Sequence, residues 1–345
     1  MKISILLPYK ENFSPKYAGA VSLFLKDTVN LSKYKDFITI YGNTNYKKKL
    51  LNNYKNIPFT KFFLRSSTKI YLKKFIEKEK ISKSNLIEIH NRPEYLNFIY
   101  KYNKNIVFYY HNNPLEMKSS YKLSDRLNVL VKSKKIIFNS NWTKKQFIKN
   151  IPKKKYYNKL EVIHQSTNKK KINILNKDKI VIFVGRLNKA KGYDIFGNAI
   201  INVLNKFPDW KSIVIGDEPR DDIIFQHKNL KLLGFQQHNS VIKWFSKSKI
   251  AVICSRNDEP FGRTALEASS CGCGVIISNK GGLPEASPYA IKLKKLDDKS
   301  LEKEIIRLIT NKRKLLNIQN KIYKNFDLTN IKISSKIDLY RDKLV

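Results

Sequence analysis

Glu259 and Glu267 lie eight positions apart in EPFGRTALEA, within a segment, 251–290, where four acidic residues outnumber three basic ones. The chain as a whole is strongly basic, so something other than background composition shapes this segment. A carboxylate in the loop before a helix can accept hydroxyls of a sugar held at the helix N-terminus. One placed further along that helix can take both hydroxyls of a ribose, as acidic residues do in dinucleotide sites. Between the two, the amides of Phe261, Gly262, Arg263 and Thr264 would cradle phosphates. Spaced glutamates alone are common on exposed helices. The flanking EPFG, the helix-ending Cys271-Gly272 and GGLPE at 281–285 make this pair specific.

A second cluster carries the opposite charge. In IVIFVGRLNKAKGYD (180–194) an apolar run ends at Gly185-Arg186, and Lys191-Gly192 opens a helix. Two cations beyond the carboxyl end of a strand suit a diphosphate. Lys191 by itself says little in a chain with 68 basic residues; Arg186, directly after a strand-end Gly and one of only 10 Arg, says more. No GxxxxGKS/T occurs and no GxGxxG follows a strand, which removes the support for ATPase and simple dinucleotide-fold readings.

Two histidines each end an apolar run, His90 in IEIHNRPEYL and His111 in VFYYHNNP. A strand-end His can hydrogen-bond a sugar hydroxyl or handle a proton; the bland alternative for either is a hydrogen-bonded structural role.

The elements that must position these residues follow from short apolar runs bounded by turn residues: Ile3–Leu7, Phe37–Tyr41, Leu86–His90, Ile106–Tyr110, Lys135–Phe138, Ile180–Val184, Ser212–Ile215, Ile250–Cys254 and Gly274–Ser278. Continuous apolar runs separated by helix-length segments imply α/β folding with parallel sheets buried on both faces. Polar, Lys/Asn-rich sequence near 165–178 marks a boundary, and the chain from about Ser300 is helical in pattern, as at Leu301, Ile305, Leu308 and Ile309. The expected organisation is a first Rossmann-like domain over 1–165, a second over 166–315, and a helical segment, 316–345, packing back on the first. Ten of the 12 glycines fall between Gly185 and Gly282, so the second domain is the one built around tight turns and close approaches.

Composition bounds the function. A chain of 345 residues that is 42% hydrophobic and 12% aromatic is too apolar for a disordered polycation, despite a formal charge of +40. Lys, Asn and Ile share A/T-rich codons, so part of the charge reads as a background of Lys on permissive surface. Residues 132–159 nevertheless hold ten Lys, no acid and no Arg, which is a poor pattern for a nucleic-acid reader and a good one for an anionic lipid surface. Cys254, Cys271 and Cys273 form no CxxC pair, against a disulfide framework or a zinc site and in keeping with a reducing cytoplasm. The run Ile3–Leu7 is too short for a signal-peptide core, and no apolar stretch is long enough to span a bilayer. Asp221-Asp222 and Asp297-Asp298 read as surface pairs, and no DxD lies between apolar strands.

At these motifs the chain resembles the retaining glycosyltransferases of glycosyltransferase family 4. The matching features are Glu259…Glu267 in EPFGRTALEA, GRLNKAKG at 185–192, GGLPE at 281–285 and, more weakly, FNSNWTKKQF at 138–147 and LLGFQQHNSVIKWFSKSKIAVICS at 232–255. The resemblance implies the GT-B fold, two doubly wound parallel-sheet domains facing a cleft. It implies Arg186 and Lys191 on the donor diphosphate, with the Phe261, Gly262 and Arg263 turn beside them, Glu267 on the nucleotide ribose, and Glu259 on the donor sugar. It places His111 near the transferred sugar; His90, by its own position before Asn91-Arg92-Pro93-Glu94, is a candidate for the acceptor side. Gly19, in YKENFSPKYAGAVS after the first strand, stands where many members present Gly-Gly to the donor phosphates; here the pair is Ala18-Gly19. VIHQSTN at 162–168 likewise departs from the family's usual apolar run and Asn-Gly.

The expected function is transfer of a sugar, with retention, from a nucleoside-diphosphate donor to a hydroxyl of a glycan or lipid-linked acceptor, in cell-surface polysaccharide or lipopolysaccharide synthesis. No metal and no resident cofactor are expected, and the expected location is cytoplasmic, peripheral on the inner face of the membrane. The alternatives are a basic nucleic-acid-binding α/β protein and a GT-B sugar-nucleotide epimerase or phosphorylase.

Overall fold

The computed structural model describes residues 1–58, 66–152, 154–220 and 223–344; the Asp221-Asp222 pair and Lys153 of the Lys-rich stretch 132–159 lie outside these. The chain divides into two compact units, Met1–Ser166 with Asn330–Val345, and Thr167–Thr329.

The first unit is built from β1 (Ile3–Leu6), α1 (Ala20–Val29), β2 (Ile38–Gly42), β3 (Tyr54–Asn56), α2 (Ser67–Ser82), β4 (Leu86–His90), α3 (Leu96–Ile99), β5 (Ile106–Tyr110), α4 (Leu123–Lys132), β6 (Lys135–Phe138), α5 (Asn141–Ile148) and β7 (Leu160–Val162). Its strands form one parallel sheet in the order β3-β2-β1-β4-β5-β6-β7, so the order reverses between β1 and β4. Alternation along LIEIH sorts β4: Ile87 and Ile89 join the apolar cluster of Tyr71, Phe75, Phe108 and Phe138, which leaves Glu88 and His90 on the opposite face. That buried polar stripe sets the chemistry of the first unit.

The second unit continues with β8 (Asp178–Val184), α6 (Tyr193–Lys206), β9 (Lys211–Ile215), β10 (Leu230–Leu232), α7 (His238–Lys247), β11 (Ser248–Ile253), α8 (Arg263–Ser270), β12 (Gly274–Ser278), α9 (Leu283–Ala286), β13 (Ile291–Leu293), α10 (Asp298–Thr310) and α11 (Lys312–Lys324); α12 (Asn330–Leu344) follows. Its parallel sheet has the order β10-β9-β8-β11-β12-β13, reversing between β8 and β11. Separate apolar clusters cover its two faces, α6 and α10 on one and α7 and α8 on the other. On α6 the stripe Ile195, Phe196, Ala199, Ile200, Val203 and Leu204 repeats at helical spacing, which directs that helix onto the sheet.

The nine expected strands are all present. The four added by the structure, β3, β7, β10 and β13, are three residues long and are the edges of the two sheets. One boundary needs correction. The segment packing with the first unit starts at Asn330, not 316, because Leu315 and Ile322 of α11 are buried in the second unit's clusters. Asp297 is no mere surface residue either; its carboxylate accepts from the Ser300 amide at 2.7 Å and caps α10.

Candidate active site

In open α/β sheets ligands sit beyond the carboxyl ends of the strands, where the strand order reverses. In the second unit these are the loops after β8 and β11, and they bring Lys191 and Glu259 together. Lys191 Nζ donates to Glu259 Oε1 in an ion pair, and Ser255 Oγ donates to the same oxygen at 2.7 Å. Both charged side chains are partly exposed. The turn carrying Lys191 is fixed by Asn188, whose Oδ1 accepts from the Lys191 amide at 3.0 Å.

Glycine lets these loops touch through their backbones. Gly192 has φ 73, and a Cβ there would lie 2.1 Å from the Cys254 carbonyl oxygen. Gly281, φ 58, presses on the EPFG loop so closely that a Cβ would lie 2.2 Å from the Glu259 carbonyl oxygen, while Gly282 N donates to that oxygen at 2.6 Å. The GGLPE segment therefore buttresses the loop that carries Glu259.

Gly262, φ 105, starts α8 with no side-chain cap, and Gly272, φ 64, follows its end. Phe261 is buried and anchors the loop in the apolar cluster below. Glu267, also buried, accepts at Oε1 from Arg263 Nε at 2.7 Å and from His238 Nε2 at 2.8 Å. Burial alone would push this carboxyl up; the Arg263 charge and the His238 bond outweigh it and hold Glu267 below the ordinary carboxylate range. Arg263 is thus engaged with Glu267 one helical turn away. His238, the first residue of α7, was not singled out from sequence, since a polar helix start in QQHNS carries no spacing signal of its own.

Arg186 is exposed, and among the described residues no hydrogen bond or ion pair occupies its side chain. Nearby, Glu218 accepts from Asn188 Nδ2 at 3.1 Å and from Arg220 Nε at 2.6 Å, and the Arg220 bond holds its carboxyl at about 2. Glu218 thereby orients the amide of Asn188 that fixes the Lys191 turn. Sequence reasoning missed it because GDEPRDD reads as a solvated loop.

In the first unit Gly19 is the N-cap of α1. A Cβ there would lie 2.7 Å from Glu11 Oε1, the oxygen that accepts from Ser22 N at 3.1 Å and Ser22 Oγ at 2.7 Å. A carboxylate therefore sits at the start of α1, and burial pushes it up from the ordinary value. His90 and His111 come together, His90 Nδ1 to His111 Nε2 at 2.9 Å. Asn91 Oδ1 accepts from the His111 amide at 2.8 Å, and Asn139 Nδ2 donates to the His111 carbonyl at 2.9 Å. His90 is wholly buried behind His111.

Two doubly wound parallel sheets, each with its polar residues gathered where the strand order reverses, define a protein of the GT-B class. Solved structures agree: HepE of Anabaena in complex with UDP-glucose superposes with a TM-score of 0.74 at 17% identity, over 99% of this chain and 100% of that one. WaaG, a glycosyltransferase involved in lipopolysaccharide biosynthesis, gives 0.70 at 11% identity, over 97% and 98%. Residues 164–325 match the family Glycosyl transferases group 1. Among similar proteins, spore coat protein SA of Bacillus subtilis is 33% identical over 124 residues, 32% of this chain and 33% of that protein. The GPI3 subunit of phosphatidylinositol N-acetylglucosaminyltransferase from Saccharomyces cerevisiae is 35% identical over 121 residues, 33% of this chain and 26% of that protein. The matched stretches thus span about a third of these relatives or less.

Proposed function

We propose that the protein is a retaining glycosyltransferase that moves a sugar from a nucleoside-diphosphate donor to a hydroxyl of a glycan or lipid-linked acceptor, in cell-surface polysaccharide or lipopolysaccharide synthesis. The observation that carries this reading is the second unit's pairing of Lys191 with Glu259 beside a buried, doubly hydrogen-bonded Glu267. Lys191 moves from Glu259 to a donor phosphate, which frees Glu259 for sugar hydroxyls; Arg186 adds a second cation, and Glu267 takes the ribose. As the anomeric C–O bond breaks, its electron pair goes to the diphosphate, where Lys191, Arg186 and helix-terminal amides stabilise the growing charge. The acceptor oxygen attacks from the same face, and its proton leaves with a diphosphate oxygen. These cations supply the charge neutralisation, so no resident metal or cofactor is invoked. UDP-glucose is the first donor to test, because HepE is described in complex with it. Wild-type protein should bind UDP-glucose and release UDP, and Glu259→Ala and Glu267→Ala should each remove most of that activity. Wild-type turnover in both variants would overturn the assignment.

An anionic membrane surface is the second proposed partner, consistent with a cytoplasmic, membrane-peripheral enzyme. No helix among the described residues is long and apolar enough to cross a membrane. On the first unit Ile81 is 84% exposed, Val131 60% and Tyr102 54%, beside Lys80, Lys101, Lys104 and Lys132. Burial and the repulsion of Lys101 and Lys104 lower Lys132, a sign that these cations crowd one patch. Apolar side chains among lysines suit anionic headgroups, at about 1 kcal/mol per cation. Flotation with vesicles containing phosphatidylglycerol at low salt should carry the protein upward; a protein left at the bottom contradicts this partner. The nucleic-acid and epimerase alternatives gain no support from the match of residues 164–325.

A further inference from the structure

At the opposite end of the second sheet from Lys191 and Glu259, the fold leaves a cavity of about 370 Å³. Lys179 of β8, Trp210 just before β9 and Lys249 of β11 place it at the amino ends of these strands. A turn in which the Trp210 amide donates to the Phe207 carbonyl at 3.0 Å brings both aromatic residues to it from the end of α6. The other apolar walls are Ile174, Ile309 of α10, and Leu315 and Leu316 of α11, all buried or half-buried. Leu175, 69% exposed, completes the lining. A mostly apolar hollow of this size with a few polar groups is the usual form of a small-molecule site.

The charges around it are unbalanced. Three cations line the cavity, Lys179, Lys249 and Lys312, against one acid, Asp209, which is already paired with Lys179. Among the described residues, no hydrogen bond or ion pair occupies Nζ of Lys249 or of Lys312. Lys249 is half-buried; burial and the charges of Lys179 and Lys312 lower it, with Asp178 alone acting the other way. An ammonium beside apolar walls is poorly solvated, and like charges beside it add to the cost; an anion among them relieves both. We propose that this cavity binds a single-chain alkyl anion, with its chain along Phe207, Trp210, Ile309 and Leu315 and its head between Lys249 and Lys312. The volume lies at the low end for ligand sites, which suits one chain rather than the two of a diacyl lipid. Cations set against apolar walls also select an amphiphile over inorganic phosphate. Every residue involved belongs to the second unit, at the end of the sheet away from the loops of Lys191 and Glu259, so this ligand binds whether or not the chain turns over a nucleotide sugar.

Calorimetric titration of the full chain with decanoate, below the concentration at which it forms micelles, tests this. Binding should saturate at one molecule per chain. Octanoate, two methylenes shorter, should bind about fifteenfold more weakly. Decanol, which lacks the charge, should bind at least about tenfold more weakly, and so should decanoate to Lys249→Gln/Lys312→Gln. Leu175→Glu, which brings a carboxylate to the cavity at an exposed position, should weaken binding too, with both variants folded by circular dichroism. Lys243→Gln/Lys247→Gln, on the exposed face of α7, should bind as wild type does. Heat without saturation, decanol as tight as decanoate, or wild-type affinity in Lys249→Gln/Lys312→Gln overturns the proposal. An equal loss in the α7 variant would show general attraction to a basic surface and overturns it as well. Displacement of decanoate by phosphatidylglycerol vesicles would hand the cavity to a bilayer lipid, against the single-chain ligand proposed.

Discussion

Arg341 holds Glu88 from the far end of the chain. Its Nε and Nη2 donate to the two carboxylate oxygens, each at 2.8 Å, and both side chains are almost entirely buried. The same guanidinium reaches Ser32 at 3.0 Å and Asp338 at 3.2 Å, and Tyr340 donates to Glu88 at 2.5 Å. This network fastens α12 onto the polar face of β4, the face that also carries His90.

Removing one partner of a buried ion pair strands the other charge. Arg341→Met and Glu88→Gln should each lower the unfolding free energy of the first unit by about 3–5 kcal/mol in urea titrations. The double variant Glu88→Leu/Arg341→Met removes both charges of the pair, and Asp338 keeps its bonds from Ser32 Oγ and the Lys33 amide, so much of that loss should be regained. A double variant as unstable as the two losses summed would show that the pair is not the reason.

His238 gives Glu267 one of its two hydrogen bonds at Oε1. His238→Ala should weaken UDP-glucose binding about tenfold, the worth of one hydrogen bond to a charged group, with little change in melting temperature. Calorimetric titration checks this, and an unchanged affinity would assign the contact to stability alone.

The buried histidines give the first unit a signed pH dependence. Unfolding returns both imidazoles to about 6.5, so below that pH the unfolded chain binds more protons than the folded one, and stability falls as pH drops toward about 3. Each ring contributes up to about 1.4 kcal/mol per pH unit in that window. Glu11 acts in the opposite sense, since its raised value lets the folded state take a proton first. Comparing wild type with the His90→Phe/His111→Phe variant between pH 6 and 4 isolates the histidines, and the variant should show the shallower slope. Equal slopes would mean the rings are not buried neutral.

Gly192 and Gly234 both have positive φ, 73 and 62, yet only at Gly192 would a Cβ meet backbone, while Gly234 has nothing within 4 Å. Gly234→Ala should therefore cost only conformational strain, roughly 1 kcal/mol. Gly192→Ala must also part the Lys191 turn from Cys254, and should lose more stability together with UDP-glucose affinity. Equal effects of the two substitutions would argue against the close approach.

Interior strands were legible because they are buried on both faces and read as unbroken apolar runs. The edges, such as YKN in β3 and LKL in β10, have one neighbour, three residues and exposed Lys, so nothing in their composition separates them from loops. The candidate site could be drawn from sequence where glycine and charge are scarce enough for placement to carry information, as with Glu259, Glu267 and Arg186, whose roles await the variants above. His238, Glu218 and Glu11 were not, because each acts through a partner distant in sequence: Glu267, Asn188 and Ser22 respectively. Arg341 shows the same limit, since only the folded chain reveals that a cation near the end answers an acid in β4.

Because α12 belongs to the first unit although it follows the whole of the second, the order of synthesis and the order of completion differ. A ribosome finishes every residue of the second sheet before it makes Arg341. Until then the nascent first unit carries Glu88 and Tyr109 without the helix whose Arg341 and Tyr340 bond to them, and the later-made unit is the first able to close.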